Sequence, residues 1–372
     1  MSRAFARCSL VDAVGRLRPA MRVLLPPGCG EPAALVGEIC RQSARLPDLT
    51  LLGGIHLGDY PFARPEHAAL RFATWHMSPR LDEARRRGRV EFVPMRYFDL
   101  VSQFAAGGAW APDCVLVHCA PPDARGYLSL GVSVSVALPA ARRAPLVIAQ
   151  VNPAMPRTLG NAFLHRSQVD CWVEADEPLT PYPPPPIGEV ERAIGRHVAG
   201  LVPDGATVQV GVGAIPQAVL EALANHRDLA LHSLLVDASV TLVERGVVTN
   251  ALKRVHRGRM DIGEAMGTRR LFDFLHENPL VNMESSGFVH DPEIVAQLDR
   301  FVAINSALEV DLGGQVTAES LGPRQVAGIG GQFDFVLGAS ALAVARRSSP
   351  CPRRDATAPC RESSHAFRRA QR

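Results

Sequence analysis

Two glycine-rich segments and a handful of polar groups are the residues whose types and spacing could do chemistry in this chain. The first segment is Val210-Gly211-Val212-Gly213-Ala214-Ile215-Pro216, between a strand-like run and a helical one. Glycines let a ligand approach the backbone, and free N–H groups at a helix start can hold a phosphate or an oxyanion. The pattern is not GxGxxG, because Pro216 takes the last position, so a tight structural turn stands beside the ligand loop as a reading. The second segment, Gly328-Ile329-Gly330-Gly331-Gln332-Phe333-Asp334-Phe335, precedes a run read as a strand and suggests backbone meeting a ligand or another backbone. Ala120–Tyr127 reads as a turn after a strand. His232-Ser233 sets an imidazole beside a hydroxyl, but neighbouring strand side chains face opposite ways, and no G-x-S-x-G elbow occurs. Glu284 in NMESSGF is either a buried reactive carboxylate or a solvated loop glutamate.

The eight cysteines stand at 8, 29, 40, 114, 119, 171, 351 and 360. They form no CxxC and no zinc-finger spacing, so neither a metal site nor a disulfide framework is expected. Cys114 and Cys119, in DCVLVHCA, read as small buried hydrophobes.

The elements that must position these groups alternate. MRVLLPP (21–27), LTLLGGIHL (49–57), VEFVPM (90–95), DCVLVHCA (113–120) and APLVIAQVN (144–152) are short, apolar and bounded by Gly or Pro, as buried strands are. Helical periodicity marks 31–45 and 79–89, and the alternation argues for a largely parallel α/β sheet. Four consecutive prolines in EPLTPYPPPPIG mark an extended linker over 179–188. The expected organisation is an N-terminal domain (1–178), that linker, a second α/β domain (189–345) and a disordered basic tail (346–372). In the second domain a helix over 189–202 leads to the strand TVQVGVG and the helix IPQAVLEALANH, with further strands at 301–310 and 331–339.

Of the 372 residues 47% are hydrophobic and 21% charged, which supplies apolar mass for cores and excludes a disordered chain. No run of about 18 apolar residues occurs, so a transmembrane helix is not expected. The N-terminus lacks a signal-peptide core, and the expected compartment is the cytoplasm. The net charge of +3 divides unevenly. Eight Arg against Asp355 and Glu362 give the tail +6, leaving the body at −3. The tail has no heptads or amphipathic period, so no nucleic-acid or membrane partner is expected. Lys253 is the only lysine.

The segments APPDARGYLSLGVS (120–133), QVNPAMPRTLGN (150–161), DGATVQVGVGAIPQAVL (204–220), INSALEVDLGGQV (304–316) and GPRQVAGIGGQFDFVLGA (322–339) resemble the acetyl-CoA hydrolase/transferase family in content and order. The family includes the 4-hydroxybutyrate and butyryl-CoA:acetate CoA-transferases, and the resemblance runs from about residue 15 to 345. It implies two CoA-transferase-type α/β domains, acting on a short-chain acyl-CoA and a carboxylate acceptor. Coenzyme A enters as a thioester substrate, with no permanently bound cofactor, and a homodimer is the assembly suggested. The implied chemistry is covalent: a glutamate attacks the thioester, and the acyl-glutamyl anhydride passes to a glutamyl-CoA thioester. The matching CoA-contacting and oxyanion residues are Gly211, Val212, Gly213, Ala214, Ile215, Asn305, Gly328, Gly330 and Gly331. His290 stands where relatives often have Asn.

Two departures accompany the match. Where relatives carry a segment like GIHTEMLVD, with the nucleophilic glutamate, this chain reads Ala230-Leu231-His232-Ser233-Leu234-Leu235-Val236-Asp237. Either Leu234 replaces the glutamate or the glutamate is deleted between Ser233 and Leu234; matching LLVD to MLVD favours deletion. Glu284 is then the weaker alternative carboxylate. Beyond 345 the family continues with a glycine/lysine loop and further elements. Here an Arg/Pro/Ser/Cys tail follows, of the kind a reading-frame shift in a GC-rich gene would give. The expectation is an impaired transferase, with direct thioester hydrolysis or inactive CoA binding as the alternatives.

Overall fold

The computed structural model describes Arg3 and residues 5–348. Ten strands belong to the first half: β1 (Ala6–Arg7), β2 (Arg22–Leu24), β3 (Thr50–Gly53), β4 (Arg71–Thr74), β5 (Val90–Phe92), β6 (Cys114–Cys119), β7 (Tyr127–Ser129), β8 (Leu146–Val151), β9 (Phe163–His165) and β10 (Cys171–Glu174). Eight of them make one sheet in the order β1-β10-β8-β6-β2-β3-β4-β5, parallel throughout, while β7 and β9 pair as an antiparallel ribbon. Every residue of β6 is buried, as expected of a parallel strand covered on both faces. Cys114 and Cys119 are among them, and burial pushes the Cys114 thiol well above its ordinary range. The helix Ala33–Arg41 presents Leu35, Val36, Ile39 and Cys40 to the core at helical spacing. In the 120–127 turn Asp123 accepts from the N–H groups of Arg125 and Tyr127, each at 2.9 Å.

The second half holds a parallel sheet of β11 (Thr207–Val210), β12 (Ala230–Leu235), β13 (Met260–Ala265), β14 (Val281–Met283) and β15 (Phe301–Ile304), in the order β14-β13-β12-β11-β15. The helices Glu189–Ala199 and Ala214–Ala222 flank β11 in sequence. Under β13, Asp261 gathers Lys253 Nζ at 2.5 Å, His256 Nδ1 at 2.7 Å and Asn282 Nδ2 at 2.7 Å. The side chains of Lys253 and Asp261 are both fully buried.

The two halves share one apolar cluster, which runs from Val115, Val117 and Leu130 to Val208, Leu231 and Met260. Backbone bonds cross between them as well. Val134 and Ser135 N–H groups both donate to the Gly263 carbonyl (3.1 and 3.2 Å), Ala265 N–H donates to Val132, and Asn161 N–H to Met283. Residues 132–135 thus cover the edge of β13 beyond the reach of β14.

Two expected strands are corrected. The 331–339 run is the start of a helix, Gln332–Ser348. Its buried Asp334 and Phe335, with Gly338 close against Val295, follow helical and not alternating spacing. The 301–310 run leaves the sheet after Ile304, beside the end of β11, and Glu309–Val310 pairs separately with Val316–Thr317. The basic tail from residue 349 onward lies outside the described residues, while 346–348 are the end of the helix. The proline segment is not a free linker: Leu179 is buried, and Tyr182 N–H donates to Gly267 O at 2.8 Å. Among the described residues no helix is long and apolar enough to cross a membrane.

Candidate functional site

At the carboxyl ends of β11, β12 and β13 the chain forms a small cleft lined by Gly211, Val212, Gly213, Val236, Asp237 and Met266, with Tyr182, Pro184 and Pro185 above them. Ligands of open parallel sheets bind at this edge because loops there carry free backbone groups. Gly213 has φ +122° and precedes the helix Ala214–Ala222, whose first turn has no side-chain cap, leaving the N–H groups around Ala214 and Ile215 at an open helix start. A Cβ at Gly211 would meet nothing within 4 Å, so this glycine leaves space. Asn305 follows β15 beside Gly211 and donates to Gln209 Oε1 at 3.5 Å. Asp237 fixes the end of β12: its carboxylate accepts from Thr268 N–H (2.9 Å) and Thr268 Oγ1 (2.5 Å).

The second glycine segment sits elsewhere. A Cβ at Gly328 would lie 2.0 Å from the Trp75 carbonyl oxygen, and one at Gly331 2.3 Å from the His290 ring. Gly330, at φ +61°, accepts from Tyr97 N–H at 3.3 Å. Gly328 and Gly330 meet the first half at Trp75 and Tyr97, Gly331 packs within the second half, and none lines the cleft of Gly211. His290 stacks on Tyr97 (5.0 Å) and against Phe335 (4.7 Å), and burial pushes its pKa down to about 3. Asp334 accepts from Phe98 N–H at 3.2 Å, and burial raises it to about 6.

Strand β12 holds no carboxylate at the position where the resemblance requires one. His232 is buried, with Nε2 at 2.8 Å from Val289 O, and burial lowers its pKa to about 4. Ser233 has φ +84°, unusual for a non-glycine residue in a strand. Between Ser233 and Leu234 the register against β13 slips: Ser233 pairs with Ile262 and Leu234 with Glu264, leaving Gly263 without a partner on β12. Two successive residues of β12 thus span three of β13, the two-versus-one arrangement of a bulge. Glu284 lies just past β14, two strands from β12, half-buried, accepting from Asn161 Nδ2 at 3.2 Å. Burial raises its pKa.

One carboxyl was not singled out by the sequence. Glu264 pairs laterally with Leu234, accepts a short hydrogen bond from Ser135 Oγ, and has the Ser133 hydroxyl beside it. Burial raises its pKa to about 8, against the two serines. The only signal in sequence is a second acid, three residues after Asp261, within the run MDIGEAM; its partner Ser135 comes 129 residues earlier.

A parallel-sheet cleft floored by glycines and covered by the proline segment defines an α/β protein with an open backbone site at the carboxyl edge of its second sheet. Comparison with known proteins gives the family. The acetyl-CoA hydrolase/transferase N-terminal domain matches residues 5–184, and the C-terminal domain matches 267–349. The chain is similar to 4-hydroxybutyrate coenzyme A transferase of Clostridium kluyveri, 38% identical over 88% of this chain and 77% of that protein. It is also similar to butyryl-CoA:acetate CoA-transferase of Anaerostipes caccae, 32% identical over 83% and 71%. Among solved structures, RipA from Yersinia pestis superposes with a TM-score of 0.83 at 30% identity, over 90% of this chain and 79% of that one. The 4-hydroxybutyrate CoA-transferase of Porphyromonas gingivalis gives 0.75 at 28%, over 90% and 78%. The chain belongs to the acetyl-CoA hydrolase/transferase family, and so to a class of enzymes that transfer CoA or hydrolyse its thioesters.

Proposed function

We propose that this chain binds a short-chain acyl-CoA in the Gly211–Gly213 cleft, and that its acyl-CoA:carboxylate transfer is severely weakened. The relatives' names supply the substrate class: short-chain acyl groups such as 4-hydroxybutyryl and butyryl, with a carboxylate as acceptor. The open helix start and the space at Gly211 suit phosphate or an oxyanion. In this reading Val212, Ala214, Ile215 and Asn305 complete the CoA side, Gly328, Gly330 and Gly331 shape the interface behind it, and the thioester is substrate, not resident cofactor. The units are 1–178, the strap 179–188 and 189–345, working as a cytoplasmic homodimer without nucleic acid or membrane.

The observation that carries the weakening is the slip at Ser233/Leu234. A one-residue deletion in β12 produces such a bulge and leaves Gly263 of β13 unpaired, opposite the place on β12 where a covalent nucleophile would stand. Losing such a nucleophile costs on the order of 10⁴ or more in rate. Inserting Glu between Ser233 and Leu234 is expected to restore butyryl-CoA:acetate exchange by about 10² or more, with a covalent CoA adduct on the new residue. A folded, CoA-binding insertion variant with no gain would refute the reading.

A further inference from the structure

We infer that the segment 180–187 is a movable cover on the Gly211–Gly213 cleft, which must lift before the thioester arm of an acyl-CoA can reach the glycine backbone. The inference rests on the proposed cleft and concerns access to it. As it stands the cleft holds about 10 Å³, with Tyr182, Pro184 and Pro185 forming one wall. That is room for a single water, whereas pockets that enclose a small-molecule ligand run to about 300–1,000 Å³. Either one wall moves or nothing larger than a water enters.

The walls differ in how they are held. On the floor, Met266 N–H donates to Leu235 O at 2.9 Å, and the Asp237 carboxylate is bound by both Thr268 N–H and Thr268 Oγ1. The bonds from Val134, Ser135 and Ala265 then tie β13 to the first half, so the floor cannot withdraw without opening that seam. The cover is held otherwise. Pro181 and the four prolines 183–186 carry no N–H. Among the described residues, the single backbone–backbone bond between 179 and 187 is Tyr182 N–H to Gly267 O, at 2.8 Å. Pro181, Pro183, Pro184 and Pro186 are exposed, while Tyr182 and Pro185 are half-buried.

The two ends of the segment are firm. Upstream, Glu177 accepts from Asn152 Nδ2 and Gln150 Nε2, each at 2.8 Å, and Leu179 is buried. Downstream, Gly188 N–H donates to Glu191 Oε2 at 2.9 Å at the start of the helix Glu189–Ala199. A run of prolines is stiff and extended, so the segment moves as a rod pinned at both ends. Rotation about the line from Leu179 to Gly188 lifts Tyr182, Pro184 and Pro185 together. It costs one backbone bond and the contact of Tyr182 with the shared apolar cluster. Tyr182 is therefore the latch. Because the closed cover and CoA exclude each other, CoA draws the population toward the lifted state. Weakening the latch raises the fraction that can bind, and so tightens CoA. That sign separates a cover from a wall, since deleting a ring that touched CoA would loosen it.

The chain's four tyrosines make the motion readable. Labelling the full chain with ¹⁵N-tyrosine gives amide signals from Tyr60, Tyr97, Tyr127 and Tyr182 alone, and loss of one signal in Tyr182→Phe assigns the latch. Hydrogen exchange is then followed with and without saturating coenzyme A. The Tyr182 amide is expected to exchange about tenfold or more faster with CoA bound, as its bond to Gly267 opens. Tyr97, whose N–H donates to Gly330 O, is expected to keep its rate. Calorimetry is expected to show CoA binding to Tyr182→Ala about three- to tenfold more tightly than to the unaltered chain. Unchanged or slowed Tyr182 exchange in the CoA-saturated chain would overturn the inference, and that measurement stands even if Tyr182→Ala does not fold. So would weaker CoA binding by a folded Tyr182→Ala. Failure of CoA to bind either chain would instead overturn the proposed cleft, and the cover with it.

Discussion

Gly328 and Gly211 show how one residue type serves two ends. At Gly328 a Cβ would sit 2.0 Å from the Trp75 carbonyl oxygen, so Gly328→Ala must push the two halves apart and is expected to cost about 2–4 kcal/mol in denaturant unfolding. Gly211 faces open space, so Gly211→Ala is expected to change stability by less than about 0.5 kcal/mol and to weaken CoA binding measured by calorimetry. Sequence alone could not separate the two, since both sit in short glycine runs; the difference lies in what the fold brings against them. Glu264 illustrates the converse. Nothing in MDIGEAM forms a motif, and its setting arises only when Ser133 and Ser135 are folded onto β13.

At the scale of elements, β12, β13, the turn after Ser286–Val289 and the helix Gln332–Ser348 carry four titratable groups enclosed by protein, His232, Glu264, His290 and Asp334. His232 and His290 are held neutral, at about 4 and 3, below an ordinary histidine near 6.5. Because the unfolded chain takes up those protons first, their contribution is present above pH 6.5 and is lost as pH falls toward the folded values. His290→Phe keeps a ring against Tyr97 and Phe335 and is expected to reduce the acid-side slope of unfolding free energy against pH by about one proton. Glu264 and Asp334 act with opposite sign: raised to about 8 and 6, they favour the folded state at low pH and lose that contribution as pH rises through those values. Of the elements, strands such as Cys114–Cys119 were legible because unbroken apolar runs of that length have few alternatives. The 332–348 helix was not, because Phe333-Asp334-Phe335 imitates strand alternation and only docking on Val295 selects the helix.

For the whole molecule, the shared core and the bonds between segment 132–135 and β13 make the halves one cooperative body. Calorimetry is therefore expected to show a single unfolding transition, with CoA raising its midpoint, whereas two resolved transitions would mean the halves unfold separately. The two-half plan itself was readable from alternating strand and helix runs, but the proline segment's position over the cleft was not, since composition reports stiffness and not contacts. Lys253, paired with Asp261 in that interior, has one more consequence. Thioesters acylate accessible amines without any enzyme, and this chain's only lysine side chain is fully enclosed. The folded protein therefore offers its own reactive substrate no lysine to modify, and acylation of Lys253 becomes a chemical record of every molecule that has opened.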